Sequence, residues 1–261
     1  MTPARRSAAI AARRLSSASE ERYQLKTLRE HVLLRPDTYV GSITPVTRHM
    51  WVLDRARGRI VRREATFVPA LYKIFDEILV NAMDNRQRDP AGTTRVDVSI
   101  DVAAGALSVR NNGRGLPIER YDGPGAEGMY VPEMLFGTLL TGSNFDDSRS
   151  LTTGGRNGYG AKLANIFSTE FVLESFDAAS ATHYRQRWCD NMETRHEPEI
   201  TRASDAAWSA HARAAFEGPR DNFTRVSFKP DLQHFGMTRL DEFEDVGGGP
   251  CLLYTSPSPR D

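Results

Sequence analysis

The sequence predicts an α+β fold in which helices cover one face of a mixed β-sheet, a two-layer sandwich. Three observations predict it: a helical apolar pattern over residues 70–85, short alternating strand segments on either side of it, and no βαβ regularity in their order. At 261 residues and 29.1 kDa the chain can hold one good-sized domain, or one with a partial second. Residues 1–20 read as a disordered basic tail or transit segment. Residues 21–246 read as the folded domain, and 247–261 as a non-domain tail.

From Tyr23 the pattern turns helical (YQLKTLREHVLL) and stops at Arg35-Pro36-Asp37, because proline restricts the residue before it and cannot continue a helix. Residues 38–41 read as a turn into a short strand. Residues 51–53 and 60–68 read as a strand pair around Arg57-Gly58. In the helix that follows, Leu71, Ile74, Phe75, Ile78 and Ala82 fall at i, i+3, i+4, i+7 and i+11, one face at 3.6 residues per turn. Pro90 and Gly92 close it. Residues 95–100 and 107–110 alternate as strands through a turn at Gly105, and residues 111–115 (NNGRG) then leave the sheet as a tight loop. Short helices are expected at 132–140 and 161–167, with a polar segment composed like a lid at 141–153 between the first of them and a glycine-rich run. Strands follow at 169–175, 183–190 and 224–229. A helical start at 240–246 is cut by Gly247-Gly248-Gly249-Pro250, and the final CLLYTSPSPRD fits no element. It reads as a foreign or read-through end, with a natural linker as the alternative.

Charge is balanced, 34 basic against 34 acidic residues, so no global field advertises nucleic acid or an acidic membrane. Arg5, Arg6, Arg13 and Arg14 precede the first acid, Glu20, a composition that fits a transit peptide and a disordered tail alike. Cys189 and Cys251 have no spacing for a zinc site or a disulfide framework, which makes a reducing compartment the default. No apolar run approaches the roughly 18 residues that cross a bilayer, so a soluble protein with no membrane partner is expected.

Three motifs carry chemistry. On the helix, Glu77, Asn81 and Asp84 share a stripe beside the buried face. A partly dehydrated carboxylate there can orient or deprotonate a water, and the Asn81 amide oxygen suits Mg²⁺. A solvated polar face is the commoner explanation of such a triplet alone. Asn111-Asn112-Gly113-Arg114-Gly115 offers a side-chain amide to a base and glycines for close approach, although an ordinary Asn-Gly turn reads the same way. The strongest signal is Gly154-Gly155-Arg156-Asn157-Gly158-Tyr159-Gly160-Ala161-Lys162. Its glycines expose backbone N–H groups, and Arg156 and Lys162 can neutralise phosphate oxygens. It is not a P-loop, because Ala161 separates the last glycine from the lysine. A carboxylate, a metal-seeking amide and a phosphate cradle are the parts of a nucleotide hydrolase.

In this order the motifs resemble the Bergerat-type ATPase fold shared by gyrase, MutL, the large heat-shock chaperones and histidine kinases. HVLLRPDTYVGS, LYKIFDEILVNAMDNRQRDP, MYVPEMLFGTLLTGSNFDD and TTGGRNGYGAKLANIFST narrow the resemblance to the N-terminal ATPase region of eukaryotic DNA topoisomerase II, over about residues 23–240. TRVSFKPDLQHFGM extends it. The resemblance implies ATP and Mg²⁺ as ligands, with Glu77 the base that activates water and Asn81 the metal ligand. Asp84 would border the nucleotide, Asn111 would contact the nucleoside, and Gly142, Ser143 and Asn144 would hold the ribose and phosphates. Gly155, Arg156, Asn157, Gly158, Tyr159, Gly160, Ala161 and Lys162 would wrap the triphosphate.

Tyr23 matches a strap tyrosine that reaches the partner subunit's nucleotide, which implies an ATP-dependent homodimer. Gly142 departs from the family, which usually has a second serine there and so one more hydroxyl. The family's transducer, Toprim acidic cluster and nucleophilic tyrosine have no counterpart here. A fragment of this kind is expected to bind ATP, hydrolyse it weakly and cleave no DNA, with double-stranded DNA a partner of the whole enzyme only. Nuclear residence is implied, with a mitochondrion or plastid as the alternative from the N-terminal composition. A histidine kinase would need a phospho-acceptor helix upstream, and only His31 and His49 precede Glu77. A plain nucleic-acid-binding module would need a basic stripe that the sequence lacks.

Overall fold

The computed structural model describes residues 26–54, 57–139, 158–202 and 222–243. Two units are distinguished, residues 1–34 and residues 35–261. In the first, helix α1 (Leu28–Leu34) opens on a reciprocal cap: Thr27 N–H donates to Glu30 Oε2 at 2.8 Å while Glu30 N–H donates to Thr27 Oγ1 at 3.2 Å.

The second unit starts with helix α2 (Pro36–Tyr39), where a turn into a strand is expected from the sequence. Proline ends one helix here and begins the next, because its missing N–H has no intrahelical partner at the first position and its φ is already helical. Strands β1 (Val46–Asp54) and β2 (Arg59–Phe67) form an antiparallel hairpin turning at Gly58, whose φ is +60°. Val52 and Ala65 are its buried centre, with Met50, Val61 and Phe67 packed on them.

Helix α3 (Pro69–Arg88) starts on Pro69 and carries Arg86 and Arg88 in its last turn, where cations complement the helix dipole. Leu71, Ile74, Phe75, Ile78 and Ala82 are all buried, as their spacing requires. Each of the larger four stabilises the fold by about 1.5–3 kcal/mol relative to exposure.

The main sheet runs β3 (Val96–Asp101), β4 (Ala106–Asn112), β9 (Phe223–Pro230), β5 (Ser168–Asp177), β6 (Thr182–Cys189) and β7 (Thr194–Arg195), with β8 (Glu199–Arg202) also pairing β6. Every pairing among the described residues is antiparallel. Its register builds cross-strand rows, Leu107–Phe228–Phe171–Trp188 and Val109–Val226–Leu173–Gln186, all buried. Helix α4 (Val131–Gly137) packs Phe136 on Phe171 with ring centroids 6.3 Å apart, so this face carries the helices. Helix α5 (Gly160–Ile166) lies between α3, α4 and strands β5 and β9. The opposite face carries the charged row Asp97–Arg110–Arg225–Glu174–Arg185–Glu199, beside the buried Phe223 and Phe176.

Two further expectations change. Strand β4 continues through Asn111 and Asn112, so the loop begins at Gly113. The described part of the expected helix at 240–246, residues 240–243, is a turn.

Candidate functional site

Helix α3 sets the first wall. Along it the Glu77 side chain is 15% exposed, Asn81 is half-buried and Asp84 is buried, so this stripe is tucked under neighbouring elements and is not a solvated face. The ammonium of Lys73, one turn earlier, donates to Glu77 Oε1 and lies 4.0 Å from Asp76 Oδ2. The other carboxylate oxygen faces α5. A Cβ placed on Gly160 would come 2.0 Å from Glu77 Oε2. A side chain at 160 would therefore displace the end of the Glu77 side chain from its place beside α5.

Strand β4 sets the second wall. Leu107, Val109 and Asn111 alternate onto the helix-facing side of the sheet, and Asn111 is buried at its end. Its Nδ2 donates to Asn112 O at 3.1 Å. Asn112 points the other way and braces the entry to β3: its Oδ1 accepts from the N–H of Thr94 at 2.9 Å and of Arg95 at 2.8 Å. Asn85 Nδ2 donates to Thr93 Oγ1 at 3.0 Å and Asn112 O at 3.4 Å, tying α3 to the end of β4.

Gly113 takes φ +93° with the Thr93 backbone nitrogen 2.7 Å from where its Cβ would stand. Asp89, just past α3, accepts from Gly92 N–H at 2.9 Å and Arg114 N–H at 2.7 Å. Those backbone donors, Gly92 first, hold its carboxyl below the usual aspartate range.

The end of the glycine-rich run forms the third wall. Gly158 takes φ +63°, and Gly160 and Ala161 open α5. Lys162 is fully buried, with its ammonium donating to Gly158 O at 2.8 Å. Burial disfavours the charged form and brings its pKa from 10.5 to about 8. Asn165, also fully buried, donates to Phe136 O at 3.1 Å and fastens α5 to α4.

Glu77 and Gly160 are thus in contact, and α3 packs on β4 as well as on α5. Tyr23, Gly142, Ser143, Asn144, Gly155, Arg156 and Asn157 lie outside the described residues. Lys73, Asn85, Asp89 and Thr93 escaped the reading of the sequence as site residues. Lys73 carries one legible signal, an opposite charge four positions before Glu77. Chemically the arrangement offers an acid with one oxygen pinned and one facing a glycine, an amide one turn on, and a buried cation one turn into the opposing helix.

The profile of the family described as "Histidine kinase-, DNA gyrase B-, and HSP90-like ATPase" matches residues 68–195. The chain is 50% identical to DNA topoisomerase 2 of Pisum sativum over 227 residues, covering 87% of this chain and 14% of that protein. The ATPase region of topoisomerase II from Saccharomyces cerevisiae superposes with a TM-score of 0.75 at 45% identity, over 86% of this chain and 55% of that one. The ATPase and transducer domains of topoisomerase II from Balamuthia mandrillaris give 0.76 at 51%, over 85% and 53%. The chain spans about 14% of the length of the curated relatives it matches.

Proposed function

We propose that the chain is an N-terminal ATPase region of the eukaryotic DNA topoisomerase II kind, within the histidine kinase-, DNA gyrase B- and HSP90-like ATPases, and that it binds and hydrolyses ATP; its 50% identity to DNA topoisomerase 2 of Pisum sativum over 227 residues supports the reading. The observation that carries the proposal is the contact between Glu77 and Gly160, which joins the acid-bearing helix to the glycine-rich segment at one point.

Glu77 Oε2 accepts a proton from the attacking water as that water's oxygen bonds to the γ-phosphorus and ADP leaves. Asn111 holds the nucleoside at the end of β4, with Asp84 alongside. Ser143, Asn144 and the backbone of Gly142 meet the ribose and phosphates. The segment from Gly155 through Lys162 wraps the triphosphate, Arg156 and Lys162 supplying charge.

The donor set also fits Mg²⁺. Among the described residues no acidic or histidine cluster could hold a metal by protein alone, and Mg²⁺ bound to phosphates needs only one or two protein oxygens besides water. Asn81 provides a neutral one. Held there with the nucleotide, the ion would supply positive charge that offsets the charge developing during transfer.

Residues 21–246 would form the ATPase domain. In a whole enzyme, nucleotide-driven dimer closure, with Tyr23 reaching the partner's nucleotide, would serve DNA double-strand passage. Nuclear residence is supported by eukaryotic relatives from plants, fungi and animals. Glu77→Gln tests the reading: affinity for a non-hydrolysable ATP analogue should stay within about twofold while single-turnover hydrolysis disappears. Retained turnover would remove Glu77 from the role of base.

A further inference from the structure

We infer that Lys73 is a positioning residue for hydrolysis, holding one oxygen of Glu77 so that the other meets the water. The inference rests on the reading of Glu77 as the base. Three observations lead to it. The Lys73 ammonium donates to Glu77 Oε1 across one helical turn. Glu77 Oε2 occupies the space that a side chain at residue 160 would fill, so a cation holds Oε1 while the glycine leaves room for Oε2. The pair is also shielded: the side chains of Lys73 and Glu77 are 34% and 15% exposed, which limits screening by solvent.

An unpinned glutamate samples several rotamers, and only a fraction of them would aim an oxygen at the nucleophile. Lys73 selects among them without touching nucleotide. Asp76 Oδ2 also lies 4.0 Å from the same ammonium, so Lys73 faces two carboxylates, of which Glu77 is the nearer. An i,i+4 pair on an open helix face is worth little to stability. Here the same pair acts through geometry, where a misplacement of about 1 Å can cost on the order of a hundredfold in rate.

The test compares Lys73→Met, Lys73→Arg, Glu77→Gln and the Lys73→Met/Glu77→Gln double variant. Single-turnover ATP hydrolysis and binding of a non-hydrolysable analogue are measured on each. Lys73→Met should slow hydrolysis on the order of tenfold to a hundredfold at saturating ATP, with analogue affinity within about twofold of wild type. Lys73→Arg should recover most of the rate. The double variant should be no slower than Glu77→Gln, since both changes act on one group.

Unchanged hydrolysis in Lys73→Met overturns the inference and leaves the role of Glu77 standing. So does a loss confined to affinity, which would place Lys73 against the nucleotide. Full turnover in Glu77→Gln overturns the underlying reading instead. A crystal structure of Lys73→Met with the analogue supplies a readout independent of turnover. There the Glu77 carboxylate should leave its place against Gly160, and an unmoved carboxylate overturns the inference.

Discussion

Raising the pH from 7 to 9 should weaken nucleotide binding and stabilise the free protein, and both effects trace to Lys162. Its ammonium is fully buried, donates to Gly158 O at 2.8 Å and has a pKa lowered by burial to about 8. The protonated fraction therefore falls from about 90% at pH 7 to about 10% at pH 9. If the charge meets the triphosphate, affinity should drop about tenfold over that range, or about 1.4 kcal/mol.

Stability moves the other way. The unfolded chain holds the proton up to the ordinary 10.5, so between about pH 8 and 10.5 the unfolded state binds more protons. The cost of burying the charge, on the order of 3 kcal/mol, is present in full below pH 8 and is relieved as pH rises through that window. Isothermal titration in buffers of different ionisation enthalpy would read the affinity and a proton uptake of about one half per site at pH 8. Urea unfolding at the same pH values would read the stability. Lys162→Met should remove both dependences. An affinity with no pH dependence above 8, or one that survives intact in Lys162→Met, would refute the assignment of this charge to the phosphates.

Gly113→Ala should cost about 2–3 kcal/mol, because alanine at a φ of +93° is strained and its Cβ would stand 2.7 Å from the Thr93 nitrogen. A thermal melt would show it, and because Asn111 sits two residues earlier, nucleoside affinity should fall with it. Gly137→Ala should cost about 1–3 kcal/mol by overpacking, since a Cβ there would meet the buried Trp188 ring at 2.7 Å. That change, remote from Glu77, should leave analogue affinity within about twofold in the protein that remains folded.

Much of the fold is legible in the sequence because burial writes periodicity. Helix α3 is readable from five apolar residues at helical spacing, and β4 and β5 from alternation. Elements without a buried face leave no such trace. Strand β1 begins at Val46, ahead of the expected start at residue 51, and its polar stretch is joined to β2 by pairing, with Thr47 and Thr66 hydroxyls 2.9 Å apart. Strands β7 and β8 are short polar pieces paired with β6, and the turn from β6 into β7 holds Asp190, Asn191 and Met192 at positive φ.

The site divides in the same way. Glu77 and Asn81 follow from their spacing, and the closeness of Gly160 to Glu77 follows only from the packing of α5 on α3. The full burial of Lys162 has no sequence signature, because lysine is normally exposed. The roles of Asn85, Asp89 and Thr93 depend on hydrogen bonds between segments that only the fold brings together.

The most direct test is a crystal structure with Mg²⁺ and a non-hydrolysable ATP analogue. The triphosphate should lie between the Glu77–Asn81 turn of α3 and the backbone from Gly158 to Lys162, with the base against Asn111. An analogue bound elsewhere, or those two surfaces standing too far apart to share it, would contradict the nucleotide site proposed for this chain.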